Sequence, residues 1–224
     1  ATLEQQAYPN LRGLPIGVAG KGSGERTVIT AASMEAKKLG IRSGMSSWEA
    51  KRLCPELIVI PASYDRYIFT SKRIFALLER ISPVIDVFSI DEAFARLDPT
   101  TTWDEAAQAG AQFKQLIRKY IGEWVTCSVG ISYGKTLAKL ASEMQKPDGM
   151  TLIRPEDFPR IAAIPPIEEL CGIGYRLRPR LNQAGIFTIQ ELGRAPKDLL
   201  VKMFGPYTGT WLHDIGNGHD RDIL

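Results

Sequence analysis

Asp91 and Glu92 stand side by side in VFSIDEAFARLD, residues 87–98, a run otherwise composed like a strand. Successive side chains of a strand point to opposite faces, so a regular strand through this run would drive one acid into the core. An unpaired carboxylate in an apolar interior is costly. The residues therefore predict a tight turn at Asp91–Glu92 between two strands, a cation beside them, or both. Set in a βαββαβ fold, paired acids at a central hairpin suit nucleotidyl transfer, in which two divalent ions about 3.5–4 Å apart activate a hydroxyl and steady a leaving phosphate. Mg²⁺ takes hard oxygen ligands, uses few protein carboxylates and keeps positions for phosphate and water. The alternative is a solvated hairpin tip, and the acids alone leave both readings open.

Two further stretches carry chemistry. In SVGISYGKTLAKLASEMQKPDGMTLI, residues 128–153, a strand ends at Ile131 and a helix begins near Gly134. Lys135 and Lys139 lie one turn apart on one helix face, and QKPDG then makes a turn that fixes Lys146 beside Pro147. A fixed ammonium near a metal site suits triphosphate binding. GISYGKT is not a Walker A loop, which needs four residues between its glycines; Gly130 and Gly134 are separated by three. In CGIGYRLRPRLNQAGIFTIQEL, residues 171–192, short helices flank Gly172-Ile173-Gly174, with a second glycine turn at Gly185. A tight G-x-G turn can offer backbone N–H groups to a phosphate without reading bases, and Arg176, Arg178 and Arg180 add positive charge nearby. An ordinary loop in a helical bundle is the competing reading.

The elements that must position these residues are set by periodicity and turn chemistry. Residues 1–7 read as the tail of a helix, and 14–20 and 26–32 as strands joined by a turn at Gly20, Gly22 and Gly24. Residues 34–40 predict a helix closed by Gly40, and 46–54 a helix capped by Ser46. Residues 57–61 predict a buried strand, and 63–81 an amphipathic helix with Tyr67, Ile74, Leu77 and Leu78 inward. The hairpin is followed by a helix over 101–124, a strand over 125–132 and a helix over 134–145. Helix, strand, strand, helix, strand is most of a ferredoxin-like βαββαβ unit without its first strand. RPEDFPRIAAIPP, residues 154–166, predicts a boundary, and the remainder is helical throughout.

The chain has 224 residues, 44% of them apolar, and a net charge of +3. That is ample for packed cores, and its mild basicity is compatible with a polyanionic partner without demonstrating one. Cys54, Cys127 and Cys171 are odd in number and lack CxxC spacing, which argues against a disulfide framework or zinc knuckle and suits a reducing compartment. His213 and His219 lie near the C-terminus with no ligand cluster and read as surface residues. No apolar run approaches the length of a membrane span, and residues 1–15 do not resemble a signal peptide, so a soluble intracellular protein is expected, with no membrane partner.

FSIDEAF, VGISYGKTLAKLASEMQKPDG, TAASMEAKKLGIRSGM and CGIGYRLRPRLNQAGI resemble, in order and spacing, the Y-family (translesion, DinB/UmuC-type) DNA polymerases. The resemblance covers essentially the whole chain. It implies an α+β palm–fingers–thumb core: fingers at 1–62, a ferredoxin-like palm at 63–153, and a helical thumb with a helix-hairpin-helix element at 154–224. It implies template-directed, low-fidelity DNA synthesis past damaged bases in a bacterial cytoplasm, as part of the SOS response. Asp91 and Glu92 then correspond to two of three catalytic acids holding two Mg²⁺ ions, for which Mn²⁺ can substitute. Lys37 and Lys146 correspond to nucleotide contacts, and Lys135, Gly172, Ile173, Gly174 and Arg176 to DNA contacts. The implied partners are primer–template DNA, deoxynucleoside triphosphates and a sliding clamp reached through C-terminal regions.

The sequence also departs from the family pattern. Lys37 stands where many members have arginine and Met34 where they have tyrosine, which removes a bidentate guanidinium and a hydroxyl from the phosphate grip. Gly134 replaces a common asparagine. The family opens with a strand bearing the first catalytic aspartate and a bulky residue that excludes ribonucleotides, whereas ATLEQQ matches the segment just after that strand. The expectation is a fragment without that strand and without the C-terminal little-finger domain, unable by itself to extend a primer. The rival reading is a catalytically silent homologue that binds DNA or recruits a polymerase; the intact Asp91, Glu92 and Lys146 argue against it.

Overall fold

The computed structural model describes residues 1–20 and 27–221, which form an α+β protein. In chain order the elements are α1 (Thr2–Ala7), β1 (Ile16–Ala19), β2 (Ile29–Ala32), α2 (Met34–Lys38), α3 (Ser47–Leu53), β3 (Ile58–Pro61), α4 (Tyr64–Leu78), β4 (Ile85–Val87), β5 (Ala93–Ala95), α5 (Trp103–Tyr120), β6 (Val129–Ser132) and α6 (Lys135–Met144). They continue with β7 (Met150–Ile153), α7 (Phe158–Ile161), α8 (Arg178–Gln183), α9 (Ile189–Arg194), α10 (Lys197–Phe204) and α11 (Pro206–Gly216). The predicted turn at Gly22 and Gly24 lies outside the described residues. The chain divides into two compact units: residues 1–77, 89–92 and 115–126, and residues 78–88, 93–114 and 127–224.

In the first unit β1 is the middle strand, antiparallel to β2 and parallel to β3. Small residues on the helices, Ala36 and Ala50, meet Ala19, Ile29, Ala32, Ile41, Cys54 and Leu57 in one buried cluster. Burying each Ile or Leu there contributes roughly 1.5–3 kcal/mol. Ser33 starts α2 by accepting from the Ala36 N–H at 3.2 Å, and it also accepts from the Ile16 N–H at 3.1 Å. Ser46 and Glu49 form a reciprocal capping box on α3. The predicted buried strand at 57–61 is instead half-buried, because β3 is the edge of the sheet and has a neighbour on one side only.

α1 is tied down by polar groups. The buried Glu4 pairs with Arg66 and accepts from the Tyr67 hydroxyl at 2.8 Å. Burial, reinforced by the bond to Glu4, pushes the Tyr67 hydroxyl up to about 12. The Gln5 amide donates to the Leu11 carbonyl at 3.2 Å and accepts from Trp124 Nε1 at 3.1 Å.

In the second unit β4 and β5 pair antiparallel, from Ile85↔Ala95 to Val87↔Ala93. β6 and β7 pair parallel, from Val129↔Met150 to Ser132↔Ile153, with α6 as the crossover between them. The predicted order of helices and strands is present. Among the described residues, however, these strands make two separate ladders and not one βαββαβ sheet. The strand predicted over 125–132 pairs only from Val129, and α5 ends at Tyr120, four residues short of the prediction.

The helical region shares one apolar core with α6 and β7: Leu137, Leu140 and Ile153 cluster with Ile161, Leu170, Leu181, Leu192 and Leu212. The core therefore runs through the boundary predicted at 154. α9 begins with a capping box of Thr188 and Glu191. It meets α11 backbone to backbone: a methyl on Gly193 would lie 2.3 Å from the Gly216 carbonyl oxygen, and one on Gly216 would lie 2.6 Å from the Gly193 nitrogen.

Candidate functional site

Asp91 and Glu92 lie between the last pair of the β4–β5 ladder, Val87↔Ala93, and therefore in the hairpin connection. The Ser89 N–H donates to the Glu92 carbonyl at 3.0 Å, closing the connection, and the Ser89 hydroxyl donates to Asp91 Oδ1 at 2.8 Å. Asp91 is exposed and Glu92 half-buried. The chain leaves strand geometry where the acids occur, so neither is driven into a core. Phe88 and Phe94 pack edge to face at 5.8 Å at the mouth of the hairpin.

α6 docks on the hairpin strands through the two lysines predicted to share a face. Lys135 Nζ lies 2.9 Å from Asp86 Oδ2 and 5.4 Å from the Phe94 ring centroid. Lys139 Nζ lies 5.8 Å from the Phe88 ring centroid and 3.6 Å from Glu143 Oε1. Lys135 was expected to touch DNA, but its ammonium is engaged by Asp86 and Phe94 within the protein. Asp86 is substantially exposed, so the ion pair contributes only about 0.5–1 kcal/mol.

The QKPDG turn has a support that local sequence did not reveal. Lys114 Nζ donates to the Asp148 carbonyl at 2.5 Å, to Asp148 Oδ1 at 2.6 Å and to the Cys127 carbonyl at 3.0 Å. Asp148 itself has φ of 58°, the left-handed region, in which a short polar side chain is tolerated best. Lys146 projects from this turn, half-exposed, with Nζ 2.7 Å from Glu143 Oε1. Lys37 is exposed in the last turn of α2.

At the predicted G-x-G turn a short 3₁₀ helix, Ile167–Glu169, precedes Gly172 and α8 follows it. Gly172 has φ of +98°, which glycine adopts without strain. The Ile173 side chain is 3% exposed in the core, and its N–H donates to the Leu170 carbonyl at 3.0 Å, so it anchors the turn. Tyr175 is 80% exposed, and Arg176 Nε donates to its hydroxyl at 2.9 Å. Arg178 pairs with Glu168 at 3.2 Å, and Arg180 donates to the Met203 carbonyl. His213, expected on the surface, is half-buried with Nδ1 3.6 Å from Asp214 Oδ1.

Residues 1–143 match the impB/mucB/samB family, and residues 168–220 match the thumb domain of DNA polymerase iota. The chain is 41% identical over 224 residues to DNA polymerase IV of Moorella thermoacetica, covering 98% of this chain and 55% of that protein. It is 36% identical over 224 residues to DNA polymerase IV of Bacillus velezensis, covering 100% and 53%. Among solved structures it resembles DinB from Sulfolobus solfataricus with a TM-score of 0.87 and 29% identity, covering 100% of this chain and 65% of that one. An insertion ternary complex of Dbh DNA polymerase gives a TM-score of 0.88 at 27% identity, covering 99% and 65%. The chain thus spans about half the length of the curated relatives it matches.

Proposed function

Starting from its membership of the impB/mucB/samB family of Y-family, DinB-type DNA polymerases, we propose that this chain is the fingers (1–62), palm (63–153) and thumb (154–224) portion of an enzyme that synthesises DNA across damaged template bases. The observation that carries the reading is the placement of Asp91 and Glu92 in a hairpin connection closed by Ser89. Primer–template DNA, deoxynucleoside triphosphates and a sliding clamp are its partners, and the bacterial cytoplasm during the SOS response is its setting.

The donor set suits Mg²⁺. Both side chains offer hard oxygens at an open connection, and Mg²⁺ completes its shell with phosphate and water. Asp91 and Glu92 would supply two of the oxygen ligands. When bound, the ions supply charge neutralisation on the phosphates and a more acidic attacking hydroxyl. Ser89 orients Asp91, and Lys146 offers a cation to the triphosphate.

Primer extension over an undamaged and a lesion-bearing template tests the reading in the protein expressed with its natural flanking sequence. Extension on both supports it. Retained DNA binding without extension on either would favour the silent homologue. In the same protein Lys146→Ala should raise KM for the incoming nucleotide about 10-fold with kcat little changed, as loss of a ground-state phosphate contact does. An unchanged KM would mark Lys146 as a solvated turn residue paired only with Glu143.

For the thumb, we propose backbone contact with DNA at Gly172 and Gly174, aided by Arg176. Affinity should then fall with salt, by about 3-fold between 50 and 200 mM for each phosphate that a cationic side chain neutralises, and vary little among duplexes of different sequence. Strong preference between unrelated duplexes at one salt concentration would contradict this.

A further inference from the structure

The N-terminus of α6 has no cap of its own. Its N-cap residue is Gly134, which has no side chain to offer. The first-turn residues Thr136 and Leu137 are both buried, so water is a poor substitute partner for their N–H groups. Yet the Leu137 N–H has a partner: Asp220 Oδ2 at 2.9 Å. Leu137 is the third residue of the helix, the position whose amide an N-cap side chain normally satisfies. Asp220 arrives there because the chain turns back after α11 at Gly218, φ +79°. The carboxylate is itself buried, 8% exposed, and its charge, added to burial, raises the pKa of the neighbouring Tyr133 hydroxyl.

We propose that Asp220 is a positioning residue, a helix cap supplied from 86 positions away, which holds the start of α6 and through it the Lys135–Asp86 contact that seats the β4–β5 hairpin. Gly134 is the other half of the device. Its φ of −158° is extended backbone open to any residue, so conformation does not demand glycine. Space does: a Cβ on Gly134 would lie 2.3 Å from Asp220 Cγ and 2.5 Å from Asp220 Cβ. The cap can come from position 134 or from position 220, but not from both. This inference is independent of the reaction proposed above.

The test is a cycle of variants in the protein expressed with its natural flanking sequence, read by thermal unfolding and by hydrogen exchange at the Leu137 amide. Asp220→Ala should lower Tm by about 3–8 °C, from one buried amide left unsatisfied, and speed exchange at Leu137 about 10-fold or more. Asp220→Asn keeps an acceptor oxygen and should retain most of the protection at Leu137. The deciding result is a change of sign. Gly134→Asn should lower Tm in the otherwise unaltered chain, where it collides with Asp220, but raise Tm and restore Leu137 protection in an Asp220→Gly background, which removes the Cβ 2.5 Å away together with the carboxylate. Loss of stability from Gly134→Asn in both backgrounds would overturn the proposal. So would a Leu137 amide that stays protected in Asp220→Ala.

Discussion

Asp91→Asn or Glu92→Gln, made in the protein with its natural flanking sequence, should slow nucleotide incorporation at least about 1000-fold. Metal-centred stabilisation of transferring phosphate is worth several kcal/mol, and each 1.36 kcal/mol is a factor of ten in rate. Both substitutions preserve shape and remove the negative charge. Because the acids occupy an open connection, with Asp91 exposed, stability should move by no more than about 0.5 kcal/mol. DNA affinity measured without nucleotide should hardly change. Single-turnover primer extension gives the rate, and a residual rate within 10-fold of the parent for both variants would remove these acids from the chemistry.

The largest effect on stability is expected at Lys114. Its ammonium serves the Asp148 carboxylate and the Asp148 and Cys127 carbonyls together. Lys114→Met keeps most of the apolar stem while removing the ammonium from those oxygens. Hydrogen bonds to charged groups are worth about 1.5–3 kcal/mol, and breaking a buried pair costs more. Lys114 and Asp148 keep some solvent access, so we expect a loss of about 2–4 kcal/mol. A urea titration of the 224-residue chain would measure it, and a loss below about 0.5 kcal/mol would refute the clamp. The variant should also weaken nucleotide binding through Lys146, whose turn Lys114 holds.

The legible and the hidden parts of this sequence divide along contact distance. Ser46 with Glu49 announces α3 within four residues, and the adjacent acids announce their own turn through the period-two rule. These are local arguments and they located the elements well. Lys114 carries no local signal, because its partners lie 13 and 34 positions further on. Asp220 likewise meets its partner 83 positions back in the chain. Glu4 and Gln5 lie in a stretch that reads only as the tail of a helix, and both are buried. In each case a polar side chain satisfies backbone or carboxyl groups brought near by the fold, and composition carries no trace of such a meeting. β7 was overlooked for a related reason: MTLI is too short to show a period, and only its pairing with β6 makes it a strand. The same limit explains Ile173. A glycine turn suggests an accessible backbone, but the side chain between the glycines had to be buried to hold the turn in place.

The glycines at the α9–α11 crossing have a consequence for how this sequence can drift over generations. At Gly134 the obstacle to a side chain is another side chain, Asp220, so a lineage can pass through a slightly weakened intermediate and exchange one cap for the other. At Gly193 and Gly216 each obstacle is the other's backbone. No substitution elsewhere can clear main-chain atoms away, and changing both glycines at once makes the collision worse. Descendants should therefore swap freely at the first pair and be frozen at the second unless the two helices move apart. Two glycine sites that look equivalent in a single sequence thus differ in kind, one a reversible choice and the other a constraint with no single-step exit.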